Sequence, residues 1–173
     1  NGNLLYHGCI PTKEDGSFDD VYIDGQYLSG MKYLKQVEDK VRKAFYCEVG
    51  SEEQLNALDY CWYLWSGPKS PLFGKNKMTT FERYFIEDKA THKEHYNPYY
   101  YHIEHKEYCK SILREFDLDV DKSHIVNGHV PVKTHKGESP IKGEGILLVI
   151  DGGLSKAYHK NTGIGGYTLI SNS

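Results

Sequence analysis

The stretch Ser123–Asp151 constrains the fold most, because it places two apolar runs of strand type on either side of a polar loop. The first run, Ile125-Val126, breaks at Asn127-Gly128 and is followed at once by His129. The second extends from Ile146 to Ile150. Ligands of α/β proteins often bind where strands end, so we predict a site at a sheet edge. A polar surface loop between two core strands would give the same pattern. The loop carries Lys133, His135, Lys136 and Lys142.

A further strand is predicted near the start of the sequence. Leu4 to Tyr6 is a short apolar run that ends at His7-Gly8, and it needs a pairing partner from later in the chain. We predict that it neighbours Ile125-Val126 and Ile146 to Ile150 as buried strands of one sheet. A final strand is predicted at Tyr167 to Ile170.

Helical periodicity dominates the residues between these strands. Two short runs around Asp24-Gly25 predict a hairpin. Four helices are predicted after it, and Ser51 with Gln54 forms the capping-box pattern of the second. Trp62 and Trp65 share one face of that helix, which favours a core position over an exposed stacking surface. The other expected inward residues are Met31, Leu34, Val37, Val41, Phe45, Leu55, Leu58, Cys61, Phe81, Tyr84, Phe85, Tyr108, Ile112 and Leu113.

The fold class is therefore α/β, a sheet with a mostly helical insertion. The sheet portion is expected at residues 1–12 and 122–173, and the insertion at residues 13–121. His92, His95 and His102 lie in the insertion, where solvated loop histidines are the favoured interpretation over a metal site, since no cysteine or carboxylate spacing completes a ligand set.

Composition narrows the class of protein. The 173 residues are 26% charged and 39% hydrophobic, with a net charge of -3, which indicates a globular domain and gives no sign of nucleic-acid binding. No apolar run approaches the roughly 18 residues that would suggest a membrane span, and the first residues do not resemble a signal peptide. Four scattered cysteines favour reduced thiols in a cytoplasmic protein, although two disulfides would be the expectation for a secreted one.

Several phrases of the sequence resemble one family. H-G-C-I-P at His7 is similar to the H-G-G motif, and N-G-H-V-P at His129 to the late G-H motif, of the calcineurin-like metallophosphoesterases. S-P-L-F-G-K-N-K-M-T-T-F-E-R-Y-F, N-G-H-V-P-V-K, K-G-E-S-P-I-K and V-I-D-G-G-L-S-K-A-Y together resemble the class III fructose-1,6-bisphosphatases of Firmicutes. The resemblance implies part of a metallophosphoesterase-like sheet and a gluconeogenic phosphatase that hydrolyses fructose 1,6-bisphosphate.

The same resemblance implies a metal site. His7 and His129 would bind one of two divalent cations, with manganese the expected metal, and a bridging water would attack the phosphate. Lys133, Lys136 and Lys142 would hold the second phosphate, although solvated surface charges are the alternative for each lysine. The family's aspartate and asparagine ligands are missing from these residues, and Pro131 replaces a further histidine. The chain is therefore expected to be an inactive fragment of a longer enzyme.

Two other functions stay open at this point. One is a relative of the protein serine/threonine phosphatases, and the other is a non-catalytic helical interaction module. The expected partner is a sugar bisphosphate, without nucleic acid or membrane, and the oligomeric state is open, a homo-oligomer included. The sharpest expectation is that His7 and His129, 122 positions apart, leave neighbouring parallel strands and lie within reach of one metal ion.

Overall fold

The computed structural model describes residues 2–156, 162–163 and 165–170. The chain divides into two compact units, residues 1–8 with 100–173 (the sheet unit) and residues 9–99 (the helical unit). In chain order the elements are β1 (Leu4–Leu5), β2 (Val21–Ile23), β3 (Gln26–Leu28), α1 (Gly30–Tyr46), α2 (Glu52–Ser66), α3 (Thr80–Phe85), α4 (Tyr99–His102), α5 (Lys106–Glu115), β4 (Ile125–Asn127), β5 (Ile141–Lys142) and β6 (Leu147–Val149). Short 3-10 turns lie at Lys89–His92, Thr134–Lys136 and Gly143–Gly145.

The sheet unit contains a four-stranded sheet in the order β1-β4-β6-β5. Leu4 pairs with Ile125, and Ile125 pairs with Leu147, so β1, β4 and β6 run parallel, while β5 runs antiparallel to β6. The predicted neighbourhood of the three strands is confirmed, and so is a mixed α/β fold. The predicted burial of the first strand is wrong, because Leu5 is 70% exposed. Among the described strands, β1 has β4 on one side alone, which leaves it at the sheet edge.

The predicted last strand does not form. Gly166 makes a single bridge to Asp151, and the Tyr167 N–H donates to the Ile150 carbonyl at 2.9 Å, but the described residues 167–170 form no strand. Ile170 is 77% exposed, so these apolar residues lack the buried face that would hold them in a ladder.

Helix α5 belongs to the sheet unit, so the observed boundaries differ from the predicted insertion at residues 13–121. The reason is its inward face, where Tyr108, Cys109, Ile112 and Leu113 are buried. The Cys109 Sγ lies against Gly143, where an added Cβ would come within 2.5 Å of it. The packing of α5 on the Gly143–Gly145 turn therefore joins this helix to the sheet.

The helical unit packs α1 and α2 against the hairpin β2–β3. Its core contains Val21, Ile23, Tyr33, Val37 and Leu64. Asp24 and Gly25 both have positive φ, as a two-residue hairpin turn of type I′ requires, so the predicted hairpin is confirmed.

The helix ends follow the sequence in part. The Ser51 hydroxyl accepts from the Gln54 N–H, as predicted, but the Gln54 side chain accepts from the Gly50 N–H instead of closing the reciprocal capping box. Thr79 precedes α3 without capping it through its side chain.

The predicted burial is wrong for several apolar residues of the helices. Trp62 and Trp65 are 76% and 69% exposed, against the predicted core position. Leu55, Leu58, Val41, Phe45, Phe81, Tyr84 and Phe85 are exposed as well. The neighbouring stripe of α2, which includes Ala57 and Leu64, is buried instead. Apolar spacing identified α1, α2, α3 and α5 but not the short α4, and it did not tell which apolar stripe would meet a neighbour.

The four cysteines, all within the described residues, form no disulfide with one another, and Cys9 and Cys109 are buried. No helix of the described part of the chain is long and apolar enough to cross a membrane.

Candidate metal centre

Two histidines meet at one edge of the sheet. His7 follows β1 and His129 follows β4, and parallel strands place their carboxyl ends on the same side. The His7 Nε2 lies 3.1 Å from the His129 Nδ1, and the ring centroids are 4.9 Å apart. The predicted proximity of the two rings is confirmed.

The two strand ends are joined by hydrogen bonds outside the regular ladder. The Gly128 N–H donates to the His7 carbonyl at 2.9 Å, and the buried Asn127 donates its side-chain Nδ2 to the Gly8 carbonyl at 3.1 Å. His129 has a φ of 68°, a left-handed conformation that costs a non-glycine residue on the order of 1–3 kcal/mol. These contacts therefore fix the backbone from which both rings extend.

The electrostatics favour neutral imidazole at His7. Partial burial and the neighbouring His129 lower the pKa of His7, while Asp151 acts in the opposite direction. Neutral imidazole is the form of histidine that ligates metal ions.

The distance between the two nitrogens suits one shared cation. Two nitrogens that bind the same zinc ion at roughly 2.0–2.1 Å are about 3 Å apart, which matches the His7–His129 contact. In the described residues, no third His, Cys, Asp or Glu completes a metal-binding group with them. The spacing of the pair therefore fits two ligands of one cation, and a complete site would require further ligands.

The histidines open onto a cleft of about 1120 Å³ within the sheet unit. Asp151 lies two residues after the end of β6 and lines the same cleft, together with Gly153, Leu154, Ser155, Tyr167 and Thr168. The Asp151 carboxylate accepts from the Gly153 N–H at 2.7 Å, which fixes its orientation at the strand end. The cleft is therefore lined at one sheet edge by the imidazoles of His7 and His129, the carboxylate of Asp151 and the phenol ring of Tyr167.

Comparison with known proteins identifies the family. A model of the family described as Firmicute fructose-1,6-bisphosphatase matches residues 1–173. The chain belongs to this family. It is 57% identical over all 173 residues to a fructose-1,6-bisphosphatase class 3 of Clostridium botulinum strain Loch Maree, and 56% identical over the same length to one of Clostridium acetobutylicum. No solved structure matches the chain.

The chain spans about a quarter of the length of these relatives, since the matched residues make up 26% of each. The family assignment therefore rests on a region that corresponds to about a quarter of each relative.

The three lysines predicted to hold the second phosphate do not line the cleft at the histidine pair, as far as the described residues show. Lys133 and Lys136 are exposed near the Thr134–Lys136 turn. Lys142 is buried, and its Nζ lies 2.5 Å from Glu104 and 3.3 Å from Glu138. Burial alone would lower the pKa of Lys142, but these two carboxylates raise it, so the ammonium is charged and already paired.

Two residues of this site, Asp151 and Asn127, were not predicted from the sequence. Asp151 follows a buried strand as directly as His129 does, and that position could have identified it. Asn127 was read as a strand breaker, but it ends β4, and its amide reaches Gly8 across 119 positions. No local pattern reveals a contact of that range.

Proposed function

We propose that the full-length polypeptide hydrolyses fructose 1,6-bisphosphate to fructose 6-phosphate and phosphate. The observation that carries the proposal is the contact between His7 and His129 at the strand ends, in a chain that belongs to the Firmicute fructose-1,6-bisphosphatase family. The named activity of the relatives, 56 to 57% identical across the whole chain, supports the choice of substrate. We also propose that the protein is cytoplasmic and that its sheet is part of a metallophosphoesterase-like fold, as expected from the sequence.

In this proposal His7 and His129 hold a divalent cation, with manganese as the expected metal, because imidazole suits the divalent transition metals. When bound, a pair of such cations supplies Lewis-acid stabilisation and a nucleophilic water at neutral pH. The remaining ligands belong to the polypeptide outside these residues. The 173-residue chain alone should therefore be inactive, since two histidines cannot hold two cations at useful affinity.

The remaining residues of the cleft bind and orient the sugar. The fixed carboxylate of Asp151 can accept hydrogen bonds from sugar hydroxyls, and the Tyr167 ring provides an apolar wall. Lys133 and Lys136 stay as candidates for the second phosphate. Lys142 is the weakest of the three predicted lysines, because its charge is already balanced by Glu104 and Glu138.

The test is phosphate release by the purified full-length protein, with and without manganese. Fructose 1,6-bisphosphate should be hydrolysed in the presence of the metal, and His129→Ala should lower kcat by at least about 100-fold. The matched control is His95→Ala, at an exposed histidine of the helical unit, which should retain activity.

A phosphopeptide serves as the competing substrate. Preferential hydrolysis of the phosphopeptide would replace the proposal with a protein phosphatase. Absence of hydrolysis of either substrate by a folded, metal-loaded protein would leave the non-catalytic module as the function.

A further inference from the structure

Helix α2 is apolar on two faces, and its own unit accounts for one of them. Leu64 packs in the core of the helical unit with Val37 of α1. Near the start of α2, the buried Gln54 donates to the Ala44 carbonyl of α1 at 3.3 Å. This inner stripe gives the contact between the two helices.

The second face is a stripe displaced by one residue, or about 100° around the helix. We call it the outer stripe, and it consists of Leu55, Leu58, Trp62 and Trp65, at spacings of three and four residues. Their exposed fractions are 52%, 46%, 76% and 69%. A helix that is apolar on more than one face is normally buried on more than one side.

Exposure of the Trp62 and Trp65 indoles to water has a high cost in free energy. A tryptophan can bury about 150–250 Å², and apolar burial is worth roughly 25 cal/mol per Å². Contiguous exposed apolar surface of this kind marks a contact site. A single exposed leucine would not indicate a contact site, because isolated apolar residues are common on protein surfaces.

We propose that the outer stripe is covered by a segment of the same polypeptide outside these 173 residues. The relatives, matched over the whole chain, are about four times as long, so roughly three quarters of the polypeptide is available to supply it. A segment on the same chain acts at an effective concentration in the millimolar range, independent of how dilute the protein is.

The charge of α2 argues against a second copy that would use the same stripe. Glu52 and Asp59 are exposed on α2, and its sequence contains no Lys or Arg. The charge of Glu53 is already balanced by Lys43 of α1, at 3.1 Å. A symmetric contact between two outer stripes would supply no cation from α2 to offset these carboxylates, and uncompensated like charges are unfavourable at an interface. A second copy that used a different surface would form a head-to-tail contact, which closes into a ring or propagates as a filament. The covering segment should therefore be apolar with neutral or basic flanks.

The experiment places a photocrosslinking amino acid in the full-length protein, as Leu58→p-benzoylphenylalanine. The matched control is Tyr27→p-benzoylphenylalanine in the β2–β3 hairpin, where Tyr27 is 72% exposed. Cross-linked peptides are identified by mass spectrometry, and the mass of the product shows whether one or two molecules are joined. The expected result is a cross-link from position 58, within one molecule, to a peptide outside residues 1–173, and no such product from position 27.

Oxidative footprinting of the same full-length protein gives an independent reading. Trp62 and Trp65 should be protected at least tenfold relative to Tyr27, after correction for intrinsic reactivity, and a hundredfold dilution should leave the protection unchanged. Modification of both tryptophans at the rate of a free indole would overturn the proposal. So would a cross-link between two molecules, or one to another part of residues 1–173.

Discussion

The Nε2 of His7 and the Nδ1 of His129 are 3.1 Å apart, although 122 positions separate the two residues. The pairing of Leu4 with Ile125 sets this distance, because it aligns the ends of β1 and β4 at one sheet edge. The Gly128 N–H and the Asn127 amide then attach the turn after β1 to the end of β4. The relationship leads to the following expectations for the site and for its supports.

Loss of either histidine should have the same consequence for metal binding. If His7 and His129 share one cation, His7→Ala and His129→Ala should each lower manganese affinity of the full-length protein by at least about 100-fold. The double variant should be little weaker than either single variant, since the shared site is already lost. Isothermal titration with manganese measures this. Additive losses would mean that the histidines serve separate sites.

Asn127 should act as a positioning residue for His7. Asn127→Asp keeps the shape but replaces the donor that faces the Gly8 carbonyl, so the turn that carries His7 should shift. We expect manganese affinity to fall about 10-fold in the full-length protein, while His129 remains in place. Asn56→Asp, at an exposed position of α2, is the matched control. Unchanged metal affinity in a folded Asn127→Asp variant would refute the positioning role.

Lys142 should matter for stability more than for substrate. Lys142→Met leaves Glu104 and Glu138 without their shared cation, and we expect a loss of about 2 kcal/mol, reduced from the buried-pair value because Glu104 is half exposed. Lys106→Met, in the exposed pair with Glu144, is the matched control and should cost much less, because exposed ion pairs contribute little to stability. Urea unfolding compares the two. A Lys142→Met protein of normal stability that binds the sugar bisphosphate poorly would restore the predicted phosphate-binding role.

Glu94 should make the helical unit sensitive to acid. Partial burial would raise the pKa of Glu94, but hydrogen bonds from Lys75 and from the backbone and hydroxyl of Thr79 outweigh it and lower the pKa from 4.5 to about 2. Because the folded pKa is depressed, this contribution to stability is present above about pH 4.5 and is lost as the pH falls toward 2.

The variant Glu94→Gln tests this linkage. At pH 7 it should lower local stability by about 2 kcal/mol, and the difference from the native protein should shrink below about pH 4. Hydrogen exchange of peptides that contain Thr79, measured by mass spectrometry, gives the local value. Glu87→Gln, at an exposed carboxylate on the same unit, is the control. A difference between Glu94→Gln and native protein that does not change with pH would contradict the assignment.

Local patterns identified most of the elements. The Asp24-Gly25 turn, α1 and α2, and the strands that precede His7 and His129 all follow from turn chemistry and from the period of apolar residues. These signals are local, since they depend on φ preferences and on side chains within a few positions of one another. The meeting of the two histidines could be predicted as well, but through the resemblance of two short motifs to a family and not from spacing.

Tertiary structure decided what each apolar face meets and how each charge is used. The same helical spacing that predicted Trp62 and Trp65 in the core also describes the stripe with Ala57 and Leu64, and packing against α1 selected the second. Lys142 looked like its neighbours in the loop until the fold placed Glu104 beside it, 38 positions away. The hydrogen bond from the Asn127 amide to the Gly8 carbonyl also depends on the fold, because 119 positions separate the two residues. Burial and long-range partners are properties of the packed chain, so the sequence determined the elements and the motif residues, while the fold determined which of them meet.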